Sequence, residues 1–398
     1  MKEILFFLFV LTLFMPRVNI SGLTISDVFL VLNIFILFFQ KIGLSKFERG
    51  YFKVLLFFLL LYLLEEIVHI VLSLNYYSYM VFVADKIAYV YFLILSFVII
   101  SFSHIIKKNK FIQLISVSLV VNSIILPYFF LLMNIGNYNK LSSLFVKPNQ
   151  LALFLILTPV IFILLDYAKN RDSKNIHKIN YFILLLYPPM LATASKSGLL
   201  VLFLMHVVIF IFSYKKLSNA MKIIYVMILI SFFLLLNPVT FEYFLSSIVV
   251  ETFPQFNRVA QFLFFSDSIQ TFDSFRNINN REGLQIFSDH PFFGVGFGLD
   301  ILLTSTGHEI HNTYIRILAT LGIIGSLFFT MFSLYYIFLF KVFFQTFIII
   351  CLIGIVFIYG VYHDIFTSRY YFFMYVILIY TLSSSKYFNI KIKGGNYA

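Results

Sequence analysis

The chain predicts an all-α, polytopic membrane protein of about twelve transmembrane helices with one long extracytoplasmic loop. Three observations lead there. Of the 398 residues, 61% are hydrophobic and 12% charged, where a soluble domain sits nearer half apolar and a quarter charged. The apolar residues fall into long runs, at roughly 20 residues per crossing helix where the pattern allows. Lysines and arginines recur in alternate connections between those runs, the arrangement that orients spans in a bilayer. A net charge of +12 would raise nucleic acid as a partner for a soluble protein. Confined to short inter-span loops, the charge is topological instead, and no nucleic acid is expected.

Taken in order, the runs are 4–16, 24–40, 52–72, 79–103, 111–133, 149–168, 179–194, 197–213, 220–236, 311–340, 342–361 and 369–385. The first, after Lys2, has the look of a signal peptide. No small-x-small cleavage site follows it, so it reads as an uncleaved helix. Pro188-Pro189 is expected to break or kink the seventh run. With the N-terminus inside, the cytoplasmic segments hold Lys2; Lys41, Lys46, Arg49 and Lys53; Lys107, Lys108 and Lys110; Lys169, Arg171, Lys174 and Lys178; Lys215, Lys216 and Lys222; Lys341; and Lys386, Lys391 and Lys393. Both termini are then cytoplasmic, in a single transmembrane domain spanning 1–398 of the cytoplasmic (inner) membrane.

One connection departs from this economy. Residues 237–310 fall outside and carry eight acidic residues against three arginines, and a loop of that length in a compact protein is usually functional. Within it, Phe256–Phe275 crowds apolar residues onto a helical pattern, as in a helix lying on the membrane surface. Asn280 is a candidate cap for a second helix through Ser288, ended by His290-Pro291.

Ionisable residues gather toward the outer level rather than through the midplane where ion and proton pathways place them. They include Arg17, Lys147, Lys196, Arg258, Arg276, Arg281, Arg316 and Arg369, with Glu65, Glu66, His69, Asp85 and Lys86. The spacing of Glu65, Glu66 and His69 suits a metal, but a di-iron site needs a second copy, and a structural polar cluster is the plainer reading. The lone cysteine, Cys351, lies in an apolar run and leaves no intramolecular disulfide or cysteine metal site. No D-x-D pair occurs, so neither a metal nor another cofactor is expected. The absence of an internal repeat weakens a transporter built of inverted halves.

The chemistry concentrates between Arg281 and Ser326. The stretch reads R-E-G-L-Q-I-F-S-D-H-P-F-F-G-V-G-F-G, then, after a spacer, H-E-I-H-N-T-Y-I-R-I-L-A-T-L-G-I-I-G-S. Gly294-Val-Gly-Phe-Gly298 is not a dinucleotide fingerprint, because its spacing is G-x-G-x-G and no βαβ unit surrounds it. Its glycines suit a tight turn bringing backbone N–H groups near a substrate. Gly322 and Gly325 suit close helix packing.

Arg281, Asp289, Pro291, Gly294, Gly296, His311, Asn312 and Tyr314, followed by a Gly-x-x-Gly helix, resemble the shared domain of O-antigen polymerases and O-antigen ligases. The resembling region runs over 149–340. The resemblance implies a GT-C-like membrane glycosyltransferase acting outside the cytoplasm on an undecaprenyl-diphosphate-linked oligosaccharide. It implies a surface polysaccharide product and, as partners, membrane lipids and a flippase and chain-length regulator of the same pathway. His311, first residue of the tenth span, would take or orient the proton of an attacking sugar hydroxyl; by itself an interfacial histidine need only hydrogen-bond a loop carbonyl. Arg281 would bind and neutralise the diphosphate; by itself it need only reach lipid headgroups. Lys196, in T-A-S-K-S-G, stands where the family shows arginine, keeping the charge without the fork. Arg258, Arg316, Asn312, Tyr314, Gly294 and Gly296 complete the substrate-binding candidates. Lys147-Pro148-Asn149 resembles the Pro-Asn of many polymerases. His308 lies outside the motif and has no role. A polymerase is expected, a ligase is the alternative, and a flippase or transporter stands third.

Overall fold

The structure, a computed structural model, describes residues 1–15, 19–20, 23–57, 60, 78–133, 143, 145, 147–170, 175–193, 195–220, 222–227, 269–296, 299–307, 309–344, 346–361, 363 and 368–384, with backbone alone at 19–20, 23, 78–89, 196, 269–275, 299 and 302. Arg17, Glu65, Glu66, His69, Arg258, His308 and the 256–268 part of the surface helix lie outside the described residues, and the side chains of Asp85, Lys86 and Lys196 lie outside them too.

Apart from a hairpin of two-residue strands, Asn19–Ile20 and Leu23–Thr24, the described regular structure is helical. The helices are α1 (Lys2–Leu13), α2 (Ile25–Phe38), α3 (46–57), α4 (Ser78–Ile105), α5 (Lys108–Met133, continuous through a π turn), α6 (Pro148–Asn170), α7 (Ile176–Ala192), α8 (Lys196–Ser213), α9 (222–227), α10 (Ile269–Asp289), α11 (Leu299–Leu303), α12 (Thr313–Phe344), α13 (Ile348–Gly360) and α14 (Arg369–Ser383). Among the described residues, four stretches are long and apolar enough to cross a membrane unaided: Lys108–Met133, Pro148–Asn170, Ser197–Lys216 and Thr313–Phe344. Shorter apolar helices occupy Ile25–Phe38, Val90–Ile105 and Ile348–Gly360. The chain is a polytopic membrane protein.

The centre of the bundle is α6 against α14. Both are apolar all round, the pattern of a helix surrounded by other helices rather than by water, and both are almost wholly buried. Thr381 Oγ1 donates to Leu164 O at 3.1 Å, joining the two. Toward the other end Phe14, Phe145, Phe154, Tyr370 and Phe373 interlock, with ring centroids 4.6 to 6.0 Å apart. In an apolar solvent, backbone groups must find partners inside the protein, and α7 shows how. It runs through Pro188 and Pro189 to Ala192 rather than breaking at them. Proline at 189 removes the N–H that would serve Leu185 O, and Tyr128 Oη donates to that carbonyl at 3.0 Å instead.

The hairpin of α7 and α8 carries a buried polar chain. Tyr187 Oη lies 3.1 Å from His206 Nδ1, Tyr225 Oη meets His206 Nε2 and donates to Asn180 Oδ1 at 2.6 Å, and Asn180 Nδ2 donates to Ser213 Oγ at 2.6 Å. Such side-chain hydrogen bonds hold helices together where hydrophobicity gives no preference, and here they bind α9 to the hairpin.

Helix directions place the site. The start of α6, the α7–α8 turn, the start of α12 and the end of α13 meet at one end of the bundle, tied by Tyr359 Oη to Asn149 O (3.1 Å), Ser197 Oγ to His363 Nε2 (3.1 Å) and Thr313 Oγ1 to His363 O (2.5 Å). Lys169, Lys215, Lys216 and Lys341 lie at the far ends of α6, α8 and α12.

Candidate functional site

The α7–α8 turn is built by short-range hydrogen bonds that serine and threonine supply more readily than any helix interior would allow. Thr193 Oγ1 donates to Met190 O at 2.7 Å and accepts from Ser195 N at 3.2 Å. Ser195 caps α8 by accepting from Gly198 N at 3.3 Å. Lys196 is therefore the first helical residue, and Ser197 points its hydroxyl at His363.

At the start of α12 the sequence expectation needs correcting. His311 does not open the helix: it lies in the turn before it, and Asn312 is the cap. Asn312 Oδ1 accepts from Tyr314 N at 3.0 Å and from Ile315 N at 3.2 Å, while its carbonyl takes Arg316 N at 2.9 Å. An asparagine satisfying otherwise orphaned N–H groups is the ordinary chemistry of a helix start. Thr313 is spent on the His363 carbonyl, and Tyr314 Oη donates to Phe357 O at 2.7 Å. Three residues of H-N-T-Y thus fasten the turn, and they hold a half-buried His311 beside His363.

Arg316 is corrected more sharply. It is 2% exposed, so it presents no charge to a ligand from outside. Its Nε lies 2.9 Å from Asp300 Oδ2, a second nitrogen 3.5 Å from Asp300 Oδ1, and a third 3.2 Å from Glu309 Oε2. Asp300, fully buried, also accepts Ile310 N at 3.4 Å. Burying a carboxylate costs heavily unless it is paired and hydrogen-bonded in this way. The pair brackets His311 on both sides and fixes the path of residues 309–316. Lys147, largely exposed, stands 3.9 Å from the other oxygen of Glu309.

The glycines prove to be structural. Gly322 sits at φ 61°, ψ −170°, so α12 is two helical pieces joined by one extended residue. The break frees backbone groups, and the loop after α10 takes them up. Val295 N and Gly296 N donate to the carbonyls of Ala319 and Thr320 at 3.0 and 2.8 Å. Ile323 N and Ile324 N donate to those of Pro291 and Phe292 at 2.8 and 3.2 Å. A Cβ at Gly294 would meet the Thr320 backbone at 2.4 Å, and one at Gly322 the Phe292 backbone at 2.4 Å. Both glycines have positive φ besides. The N–H of Gly294 serves His290 O and that of Gly296 serves Thr320 O. These groups hold the loop and are not offered to a substrate, and Gly322 breaks its helix rather than packing it.

Helix α10 is one helix, with Asn280 inside it rather than at its start, and it ends at His290-Pro291 as the sequence suggests. It lies against the start of α12 because Gly283 lets it in: a Cβ there would come within 2.7 Å of Ile310 and 2.8 Å of Ile315. Asn279, Gly283 and Ile286 form the packed face, with Asn279 Oδ1 accepting from Thr306 Oγ1 at 2.6 Å. Arg276 continues that face and is half-buried; Arg281 is exposed and pairs with no carboxylate among the described residues. The groove on the other flank, lined by Glu282, Gln285, Ile286, Asp289, His290 and Leu303, holds two carboxylates and neither lysine nor arginine, so it does not suit a diphosphate.

Sequence reasoning missed His363 as a site residue and gave Arg276 only a place among the outer cations. Burial lowers the His363 pKa to about 3, and the nearby charges of Arg276 and His311 push the same way. Its ring packs on Tyr359 with centroids 4.6 Å apart. The spacing of Arg276, Asn279, Gly283 and Ile286 was a readable sign that Arg276 faces inward; nothing local marks His363. Among the described residues no three His, Cys, Asp or Glu side chains converge as a metal site would require.

Residues 181–330 match the family model described as O-Antigen ligase. No curated protein matches the chain.

Proposed function

We propose, for a polysaccharide-related membrane enzyme carrying the domain shared by O-antigen polymerases and ligases, that it is a glycosyltransferase joining lipid-linked oligosaccharides into a surface polysaccharide. The donor is a glycan on undecaprenyl diphosphate, and the acceptor is a hydroxyl of a second lipid-linked repeat. The acceptor oxygen attacks the anomeric carbon with inversion, its proton passes to His311, and the bond to the diphosphate breaks with the electron pair leaving on the diphosphate. The observation supporting this reading is the convergence, at one end of the bundle, of His311, His363, the Lys196 turn and the Arg276 side of α10. Cations neutralise the departing diphosphate where water is scarce and their effect large. The ligase reading shares this donor site and differs in the acceptor; the description of the matched family favours keeping it beside the first. Chain-length analysis of lipid-linked glycan in membranes separates the two, since a polymerase lengthens it and a ligase moves it to another lipid.

Two expectations go with this reading. The site end faces out of the cytoplasm, because the lysine-bearing ends of α6, α8 and α12 lie opposite and such residues stay inside. A reporter active only outside the cytoplasm should light when fused at Gln270 and stay dark at Asn175; the reverse pattern would put the site on the wrong side of the membrane. The exposed cations should act by charge and, for Arg281, by shape. Arg281→Ala is expected to slow transfer about tenfold to a hundredfold, the worth of a charge-assisted hydrogen bond, and Arg281→Lys should recover only part, the fork being lost. Lys196→Arg should transfer normally and Lys196→Ala should not. Full activity of both alanine variants at matched membrane abundance would remove the diphosphate clamp.

A further inference from the structure

The residue that joins the separate pieces of the site is one no motif contains. His363 receives Thr313 Oγ1 on its carbonyl, meets Ser197 Oγ through Nε2, and packs at a tilt against Tyr359, whose own hydroxyl reaches Asn149 O. Segments around Asn149, Ser197 and Thr313 are thus tied together through His363 and its neighbour Tyr359. Its Nδ1 has no hydrogen-bonding partner among the described residues.

We propose that His363 is the acceptor-binding residue: its Nδ1 holds a hydroxyl of the incoming sugar beside His311, while Ser197 fixes the ring. This rests on the glycosyl-transfer reading above. Three points favour a sugar hydroxyl over the diphosphate. Burial above all, with the neighbours Arg276 and His311 acting the same way, keeps this imidazole uncharged at neutral pH, so it adds nothing to anion binding. A neutral imidazole held at Nε2 offers either an N–H or a lone pair at Nδ1, depending on which tautomer Ser197 selects. A hydroxyl, both donor and acceptor, satisfies either case. Finally, a base of such low proton affinity is poorly matched to taking the proton at neutral pH, which leaves His311 that task and His363 the task of orientation.

The test is transfer by purified protein in lipid vesicles, with lipid-linked donor and lipid-linked acceptor varied separately. His363→Phe keeps a ring against Tyr359 and removes both nitrogens. It is expected to raise the acceptor KM about tenfold, one hydrogen bond's worth, with the donor KM unchanged. His363→Gln, whose amide can both donate and accept, should return the acceptor KM most of the way, and Ser197→Ala should raise it by a smaller factor. An unchanged acceptor KM in an active His363→Phe protein, or equal losses toward both substrates in Phe and Gln variants, would overturn the assignment. A parent protein that transfers nothing from lipid-linked saccharides would defeat the transfer reading itself, and this subsite with it.

Discussion

Replacing His311 by alanine is expected to lower glycan transfer by about 100-fold or more, the usual worth of a positioned general base, while the protein still folds and still binds its donor. The geometry explains why the two effects should separate. His311 stands outside α12, one residue before the cap, and the hydrogen bonds that build the helix start come from its neighbours Asn312, Thr313 and Tyr314. The Asn312 cap, the Thr313 and Tyr314 hydrogen bonds to the α13 end and the Asp300–Arg316 pair all remain when the ring is removed. His311→Gln keeps a hydrogen-bonding side chain that cannot take a proton. Complete loss with glutamine marks a base, and partial loss marks orientation alone. Glycan chains of parental length from the alanine variant, in a strain without the parent protein, would reduce His311 to an interfacial histidine.

A second large effect is expected at Asp300, and it should appear as stability before it appears as activity. Asp300→Ala takes from the buried Arg316 guanidinium its fully buried carboxylate and leaves it Glu309, itself partly exposed. Breaking a buried pair from one side costs about 3–5 kcal/mol, a large share of the roughly 5–15 kcal/mol that holds a typical domain folded. Replacing both partners with apolar residues of similar volume removes the stranded charge, and such exchanges are often neutral. The double variant Asp300→Leu, Arg316→Met should therefore regain much of the thermal midpoint lost by the single change, measured in detergent micelles. Were the single variant as stable as the parent, the pair would not be what fixes the His311 segment.

Much of this arrangement can be read along the chain, and the unreadable part has a physical reason. Long apolar runs and alternate basic loops place most described helix ends within a few residues, because each depends on local composition. H-N-T-Y marks the turn before α12, although the cap rule for asparagine would have put His311 outside the helix. The double proline does not break its helix because a partner from another helix, Tyr128, takes up the carbonyl left by the missing N–H. Arg316 looked like one more outer cation because its acid, Asp300, lies sixteen residues away beyond a loop. His363 was invisible for the same reason at greater distance: its ties run 50 residues to Thr313 and 166 to Ser197. Gly322 carried a signal, but a Gly-x-x-Gly pattern in an apolar helix suggests packing, and only the loop lying across it reveals a break.

The junction at Gly322 decides what can move. Four main-chain groups of the split helix pair with the 291–296 loop, and that loop carries the exposed rings of Phe292 and Phe293. Were this loop to swing aside as a lid, it would strand donors and acceptors on both strands of the joint, each costing several kcal/mol where water is absent. The joint behaves as a weld and not as a hinge. Whatever motion this end of the bundle undergoes has to come from elements that are not stitched together through their own backbones.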